Sequence, residues 1–400
     1  MPDSTTALLQ FAVADARTYL FVLTRSAVPR PSPSVRAQAP SYLLNAYVID
    51  IGRSRLAERI AKFQELIGQK NVAFQQSARE LHDMLLAPAA AQLTGKTNWL
   101  IVPDDSLWRL PFGALQATEN RYLVEDRALA YASSLTALAE MMKPHSPVPM
   151  RRTSRGMANE MARTASDSAL LAFGNPVIGR QISERLMRLD DPGNLDPSPE
   201  AETEAKSLER LFAGSKSFVG AQASEELAKR ESGKFRMIHF AAPARLNDAS
   251  PLYSHITLTQ SEENNNEDGL LEVWEVMKLD LKAELITLSA SELARARTSS
   301  GDGFAGVSWA LFVAGCPTLA LSQWKVDAPS TTELMLDFYR NLTRGGLEAA
   351  ASRRSRNAQD ALTGIGAARA LQKAILKQLA SERYRHPFYW AGFKVIGNGG

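Results

Sequence analysis

The chain has 400 residues, 45% of them hydrophobic and 22% charged, with a formal net charge of +3. Such a length calls for two subdomains, or one large α/β domain with insertions, and the scattered positive residues give no nucleic-acid footprint. A single cysteine, Cys316, excludes an internal disulfide framework and a cysteine-rich metal site, and five histidines far apart in sequence (His82, His145, His239, His255, His386) offer no zinc-ligand spacing.

The N-terminal MPDSTTALLQF lacks the basic start and apolar stretch of a signal peptide. No apolar run reaches the ~20 residues of a membrane helix. A reducing cytoplasm, with no membrane and no nucleic acid as partner, is the default expectation. Thr18–Thr24 and Ser41–Ile49 are rich in β-branched and aromatic residues and read as two antiparallel strands around a Pro/Ser loop at Val28–Pro40. From Arg53 to about Ala90 the spacing turns helical, with Leu56, Ile60, Phe63 and Ile67 on one face. Asn98–Val102 is a short apolar run closed by the turn signal Pro103-Asp104-Asp105. Tyr122–Tyr131 reads as extended and Leu135–Met142 as helical.

Lys143–Asp167 is polar, holds Pro144, Pro147 and Pro149, and reads as a linker or exposed loop. Beyond it strands and helices alternate. Leu170–Phe173, Ser217–Val219, Phe235–Phe240, Ile256–Thr259, Glu284–Leu288, Pro317–Gln323 and Phe388–Ile396 read as strands. Ala201–Phe212, Ser224–Arg230 (with Ser224 as N-cap), Leu271–Met277, Phe304–Ala314, Thr331–Leu342 and Ala361–Ala380 read as helices. This alternation predicts a mostly parallel sheet with helices on both faces, and places functional groups beyond the carboxyl ends of neighbouring strands.

Two strand ends carry the most information: Ile238-His-Phe-Ala-Ala-Pro-Ala244 and Thr287-Leu-Ser-Ala-Ser-Glu292. Four further segments accompany them: Leu100–Asp104 with Leu110-Pro-Phe112, Phe312–Gly315, Ser322-Gln-Trp-Lys-Val-Asp327, and His386-Pro-Phe-Tyr-Trp-Ala-Gly-Phe393. In this order they resemble the CHAT family, caspase-like peptidase domains related to separase and gingipain-type peptidases and often found after tetratricopeptide repeats. The likeness runs from Leu8 to Asn398. It implies a caspase-like three-layer α/β/α fold with a mostly parallel central sheet and an N-terminal β-hairpin/helical subdomain. Residues 1–142 would be the N-terminal, pseudo-caspase-like part, 143–167 the linker, and 168–400 the caspase-like part.

The family pattern is roughly HFATHG at the first strand end and LSACET at the second, and its His and Cys cut peptide bonds. Here those positions hold Pro243 and Ser291. Proline has no titratable group and cannot act as a general base, and a serine hydroxyl needs a base before it attacks. The resemblance therefore implies a catalytically inactive domain with a protein or peptide partner, a tetratricopeptide-repeat protein or segment among the options. The alternative is a hydrolase using Ser291. No cofactor or metal is expected.

Other residues are weighed against plainer roles. His239 reads as a core histidine with satisfied nitrogens. A His255–Ser291 pair has no support in the spacing, and Asp248, the only nearby group to orient it, reads as a loop residue. Cys316 reads as a buried structural thiol. Asp327, beside Trp324, is either an acid in a substrate pocket or a helix-start aspartate. Gly301-Asp-Gly-Phe-Ala-Gly306 fits GxGxxG, but the long loop before it argues against a dinucleotide site.

Overall fold

A computed structural model describes residues 3–25, 41–141, 170–188, 196–260, 267–289, 302–324, 327–351 and 364–397. The chain opens with β1 (Thr6–Val13), β2 (Thr18–Arg25) and β3 (Tyr42–Ile49). Helices α1 (Arg53–Gly68), α2 (Phe74–Leu85) and α3 (Ala90–Leu93) follow. Next come β4 (Asn98–Val102), β5 (Gln116–Thr118), β6 (Arg121–Tyr122), α4 (Leu123–Asp126), β7 (Ala128–Tyr131) and α5 (Leu135–Met141). The second half begins with β8 (Leu170–Gly174), α6 (Arg180–Arg188), α7 (Pro199–Glu209), β9 (Lys216–Val219) and α8 (Glu225–Ser232). It continues with β10 (Met237–Ala241), β11 (Ala244–Arg245), β12 (His255–Thr257), β13 (Leu270–Glu272), α9 (Val273–Val276) and β14 (Leu285–Leu288). The chain closes with α10 (Asp302–Val313), β15 (Thr318–Ser322), α11 (Ala328–Ala351), α12 (Gly364–Leu379) and β16 (Phe393–Gly397).

Eleven strands form one sheet in the order β3-β2-β1-β4-β7-β16-β15-β14-β10-β8-β9. Its pairings are parallel except β1–β2, β2–β3 and β15–β16. The mostly parallel α/β architecture expected from the sequence is therefore present. β16 joins the two halves: Val395 lies opposite Ala130 of β7 in parallel and opposite Ala320 of β15 antiparallel. The sheet is thus continuous across the boundary expected between the N-terminal and C-terminal parts. The linker expected at 143–167 lies outside the described residues. No helix among the described residues is long and apolar enough to cross a membrane.

The pleat sorts the central strands onto two faces, because successive side chains point to opposite sides. Ile238, Phe240, Ile286 and Leu288 line a cavity shared with α10 and the small sheet β11-β12-β13. His239 and Thr287, one residue out of phase, face α7 and α11. Both faces are covered, which is why these strands read as continuous apolar runs.

Several element boundaries differ from the sequence reading. The helical stretch after Arg53 is broken at Lys70, which adopts a left-handed φ of 54°, and resumes at Phe74. The Tyr122–Tyr131 segment is not extended throughout. Glu125 accepts the Tyr122 backbone N–H at 2.7 Å and folds α4 between β6 and β7. Leu271–Met277 is not wholly helical: it begins in β13, and α9 starts where Glu275 accepts the Glu272 N–H at 2.9 Å. The last strand starts at Phe393 rather than Phe388, because His386 Nδ1 accepts the Phe388 N–H and caps a 3-10 turn at Pro387–Tyr389.

Candidate functional site

The carboxyl ends of β8, β10, β14 and β15 lie side by side. Phe240 is level with Phe173 and Leu288, and Leu288 with Leu321. Chain leaving these strands converges on one end of the sheet, where an α/β protein carries its site. Pro243 stands there, two residues past β10, half-buried. Its carbonyl accepts the Thr257 N–H at 2.7 Å, so the backbone after β10 turns directly into the β11–β12 hairpin. Ser291 lies outside the described residues. The last described residue before it, Ser289, is tied to β10 by its N–H to the Phe240 carbonyl at 3.0 Å.

Beneath these ends lies a buried polar network that sequence reasoning found only in part. His239 is fully buried, as expected for a core histidine. Its Nε2 is 2.7 Å from Glu204 Oε1 and 3.2 Å from Ser289 Oγ. Nδ1 meets the Tyr339 hydroxyl at 3.2 Å, and that hydroxyl donates to Thr287 Oγ1 at 2.9 Å. Burial pushes the Tyr339 phenol above its usual range. The network therefore pins the ends of β10 and β14 to α7 and α11, with both imidazole nitrogens engaged. Only His239 stood out in the sequence. Glu204 and Tyr339 lie on helices 35 and 100 residues away, and no local pattern marks a carboxylate that will be buried.

Asn175 is a second residue the sequence reading passed over. It follows β8 in a left-handed conformation (φ 50°), and its N–H donates to the Ala241 carbonyl at 3.2 Å. Its side-chain Oδ1 accepts the Ser198 N–H at 2.7 Å. The Gly174-Asn175-Pro176 triplet was the available signal, since asparagine tolerates this region.

His255 is buried on the opposite face. Nδ1 donates to the Tyr253 carbonyl at 3.3 Å, leaving Nε2 as an acceptor with no partner among the described residues. It borders an apolar cavity of about 40 Å³ bounded by Phe240, Leu288, Val307 and Leu311. Burial lowers its pKa, which keeps the imidazole neutral. Asp248 does not orient it: Asp248 Oδ1 accepts the Gly303 N–H at 2.8 Å at the start of α10.

Of the GxGxxG residues, Gly301 is outside the described residues. Gly303 and Gly306 are required by packing, for a Cβ on Gly306 would sit 2.4 Å from the Pro251 Cβ. Cys316 is buried, donates to the Thr318 carbonyl at 3.3 Å, and has its thiol pushed up to about 12 by burial. It is a structural thiol.

Trp324 donates its Nε1–H to the Phe388 carbonyl at 3.0 Å and lies on Gly392, where a Cβ would be 2.9 Å from its ring. Asp327 begins α11: its Oδ2 accepts the Ser330 N–H at 3.2 Å and its carbonyl accepts the Thr331 N–H at 3.0 Å. The helix-start role is met by this geometry.

One carboxylate cluster occurs among the described residues, formed by Glu225, Glu267 and Glu275. The Lys229 ammonium occupies its centre, 2.7 Å from Glu225 and Glu275 and in contact with Glu267. The lysine supplies the positive charge that a metal ion would bring.

An open α/β sheet with loops gathered beyond the carboxyl ends of its parallel strands defines the class of protein. Within that class the chain belongs to the CHAT family, whose domain model matches residues 75–398. It is 25% identical over 358 residues to human tetratricopeptide repeat protein 28, covering 80% of this chain and 13% of that protein. The mouse protein of the same name is 24% identical over 365 residues, with the same coverage. The chain thus spans only a small part of these relatives. Among solved structures, the Saccharomyces cerevisiae separase–securin complex aligns at 11% identity and a TM-score of 0.40, covering 79% of this chain and 17% of that one. The complex of Porphyromonas gingivalis RgpB pro- and mature domains aligns at 8% identity and a TM-score of 0.39, covering 86% and 75%.

Proposed function

We propose that this caspase-like CHAT domain is catalytically inactive and binds a protein or peptide partner beyond the ends of β10 and β14 without cutting it. The observation that carries the reading is proline at position 243, where the family pattern has its histidine. A pyrrolidine ring can take no proton from a nucleophile. Two facts support it. The buried His239 has both nitrogens engaged, and the buried His255 meets only a carbonyl on one nitrogen and an apolar cavity on the other. A serine triad needs a base that faces the hydroxyl and a third group that orients the base.

Trp324 and Asp327 would form the rim of the binding cleft, with Asp327 acting there as well as capping α11. The tetratricopeptide-repeat relatives favour a protein partner, such as a repeat protein or segment, in the cytoplasm.

A fluorophosphonate probe on the full chain tests the central claim. No labelling at Ser291 is expected. Labelling that vanishes in Ser291→Ala would overturn inactivity and favour the rival reading of a serine hydrolase.

A further inference from the structure

A buried polar atom that the chain itself leaves unpaired calls for an occupant from outside the chain, an ordered water or a ligand. His255 of β12 carries such an atom. The side chain is 7% exposed. Its Nδ1 donates to the Tyr253 carbonyl at 3.3 Å, so the neutral ring presents Nε2 as an acceptor. Burial disfavours the imidazolium, and the Arg245 guanidinium nearby disfavours it further. Among the described residues nothing donates to Nε2.

The ring stands in the wall of a cavity of about 40 Å³, bordered also by Phe240, Leu288, Val307 and Leu311. A single water needs roughly 10–15 Å³ and two to four polar partners. The cavity is larger than that, and most of its lining is hydrocarbon. Ser254 Oγ, also in the lining, already accepts the Asn247 N–H at 2.9 Å. A water on His255 would be held by one bond and would face apolar side chains elsewhere.

We infer that the cavity binds a small neutral molecule with a compact aliphatic body and one hydrogen-bond donor, a short-chain alcohol in its simplest form, whose hydroxyl donates to His255 Nε2. About three or four non-hydrogen atoms fill the volume. The chemistry of the wall selects this class. A bare hydrocarbon leaves Nε2 unpaired, and a ketone or ether brings an acceptor to an acceptor. A carboxylate brings a charge that apolar side chains do not solvate.

Propan-2-ol, acetone and acetate are close in size and separate these requirements. The full chain, isotopically labelled at its methyl groups, is titrated with each and followed by NMR. Propan-2-ol should shift the methyls of Leu288, Val307 and Leu311 and bind about tenfold or more tightly than acetone or acetate. In His255→Leu, shown to be folded by its melting curve, propan-2-ol and acetone should bind alike. The comparison of the three compounds on wild type stands without that variant. Propan-2-ol that leaves these methyls unmoved, or binds no more tightly than acetone, would overturn the inference. Acetate binding most tightly would also overturn it, moving recognition to the charge of Arg245.

Discussion

Lys394 offers the sharpest test of the packing at the junction of the two halves. It lies on β16, 1% exposed, and its Nζ donates to the Trp108 carbonyl. Among the described residues no carboxylate pairs with it. The Tyr131 and Phe304 rings lie 4.6 and 5.9 Å from the nitrogen and favour an ammonium, by at most about 2 kcal/mol. Desolvation outweighs this and holds the amine well below the usual lysine range. In the unfolded chain the lysine regains its ordinary pKa, near 10.4, and so binds a proton that the folded chain lacks. Stability must then rise with pH up to that ordinary value and fall as pH drops, until the folded amine itself protonates. The slope for one whole proton is about 1.4 kcal/mol per pH unit. Lys394→Met removes the titration while keeping an unbranched side chain. The Trp108 carbonyl stays satisfied, because Gln323 Nε2 also donates to it at 2.7 Å. The difference in unfolding free energy between variant and wild type should therefore shift against the variant as pH rises toward the ordinary lysine value, by at most about 1.4 kcal/mol per pH unit. Urea denaturation at several pH values measures it, and other titrating groups cancel in the difference. A difference that stays flat as pH rises would refute the reasoning.

Two further outcomes follow from the buried polar groups. Tyr339→Phe deprives Thr287 Oγ1 and His239 Nδ1 of their shared partner and should lower stability by about 1–3 kcal/mol in chemical denaturation, against near-neutrality if the network is not formed. Burial raises the Glu225 pKa to about 7, above its ordinary 4.5, so the folded chain takes up this proton at higher pH than the unfolded chain does. The stability it confers is complete below the ordinary value and is lost as pH rises through about 7. Glu225→Gln should flatten the wild-type decline between those limits in a melting series, and an unchanged decline would locate the titration elsewhere.

How much was legible in the sequence depended on how local the determining forces were. β2 and β3 showed because their β-branched and aromatic residues sit between clear turn signals. Ser224 showed as a cap because its Oγ meets the N–H of Leu227, three residues on. β1 was passed over although it lies inside the sheet between β2 and β4, since its sequence Thr-Ala-Leu-Leu-Gln-Phe-Ala-Val is buried at nearly every position and has no alternation to detect. α6 was missed for the opposite reason: it buries only Ile182 and Leu186 against Leu270, too small an apolar face to mark a helix. The sheet order stayed out of reach altogether. β16 pairs with β7, more than 250 residues earlier, and nothing within either strand encodes that partner. The strand ends stood out in the sequence, but the support beneath them did not, because Glu204 and Tyr339 reach His239 through space alone.

The proposed loss of chemistry is confined to side chains beyond the strands, while the scaffold that presents them is complete. β8, β10, β14 and β15 remain in register. Asn175 still braces the end of β10, and Ser289 is still tied to both β10 and His239. Such support is costly to maintain, since a buried carboxylate and imidazole are tolerated only when fully hydrogen-bonded. Replacing such a network with well-packed apolar residues is often neutral or stabilising, so stability alone does not call for it. A binding role asks for something different from catalysis. It needs a rigid rim of fixed shape, and it needs no base at position 243. A proline there serves that purpose, because it fixes the backbone where the chain turns from β10 into β11. On the proposed reading, then, Pro243 removes the proton acceptor and stiffens the cleft in the same substitution. On the same reading, Pro243→His alone should leave the chain without peptidase activity, since Ser291 would still stand in place of the family's cysteine.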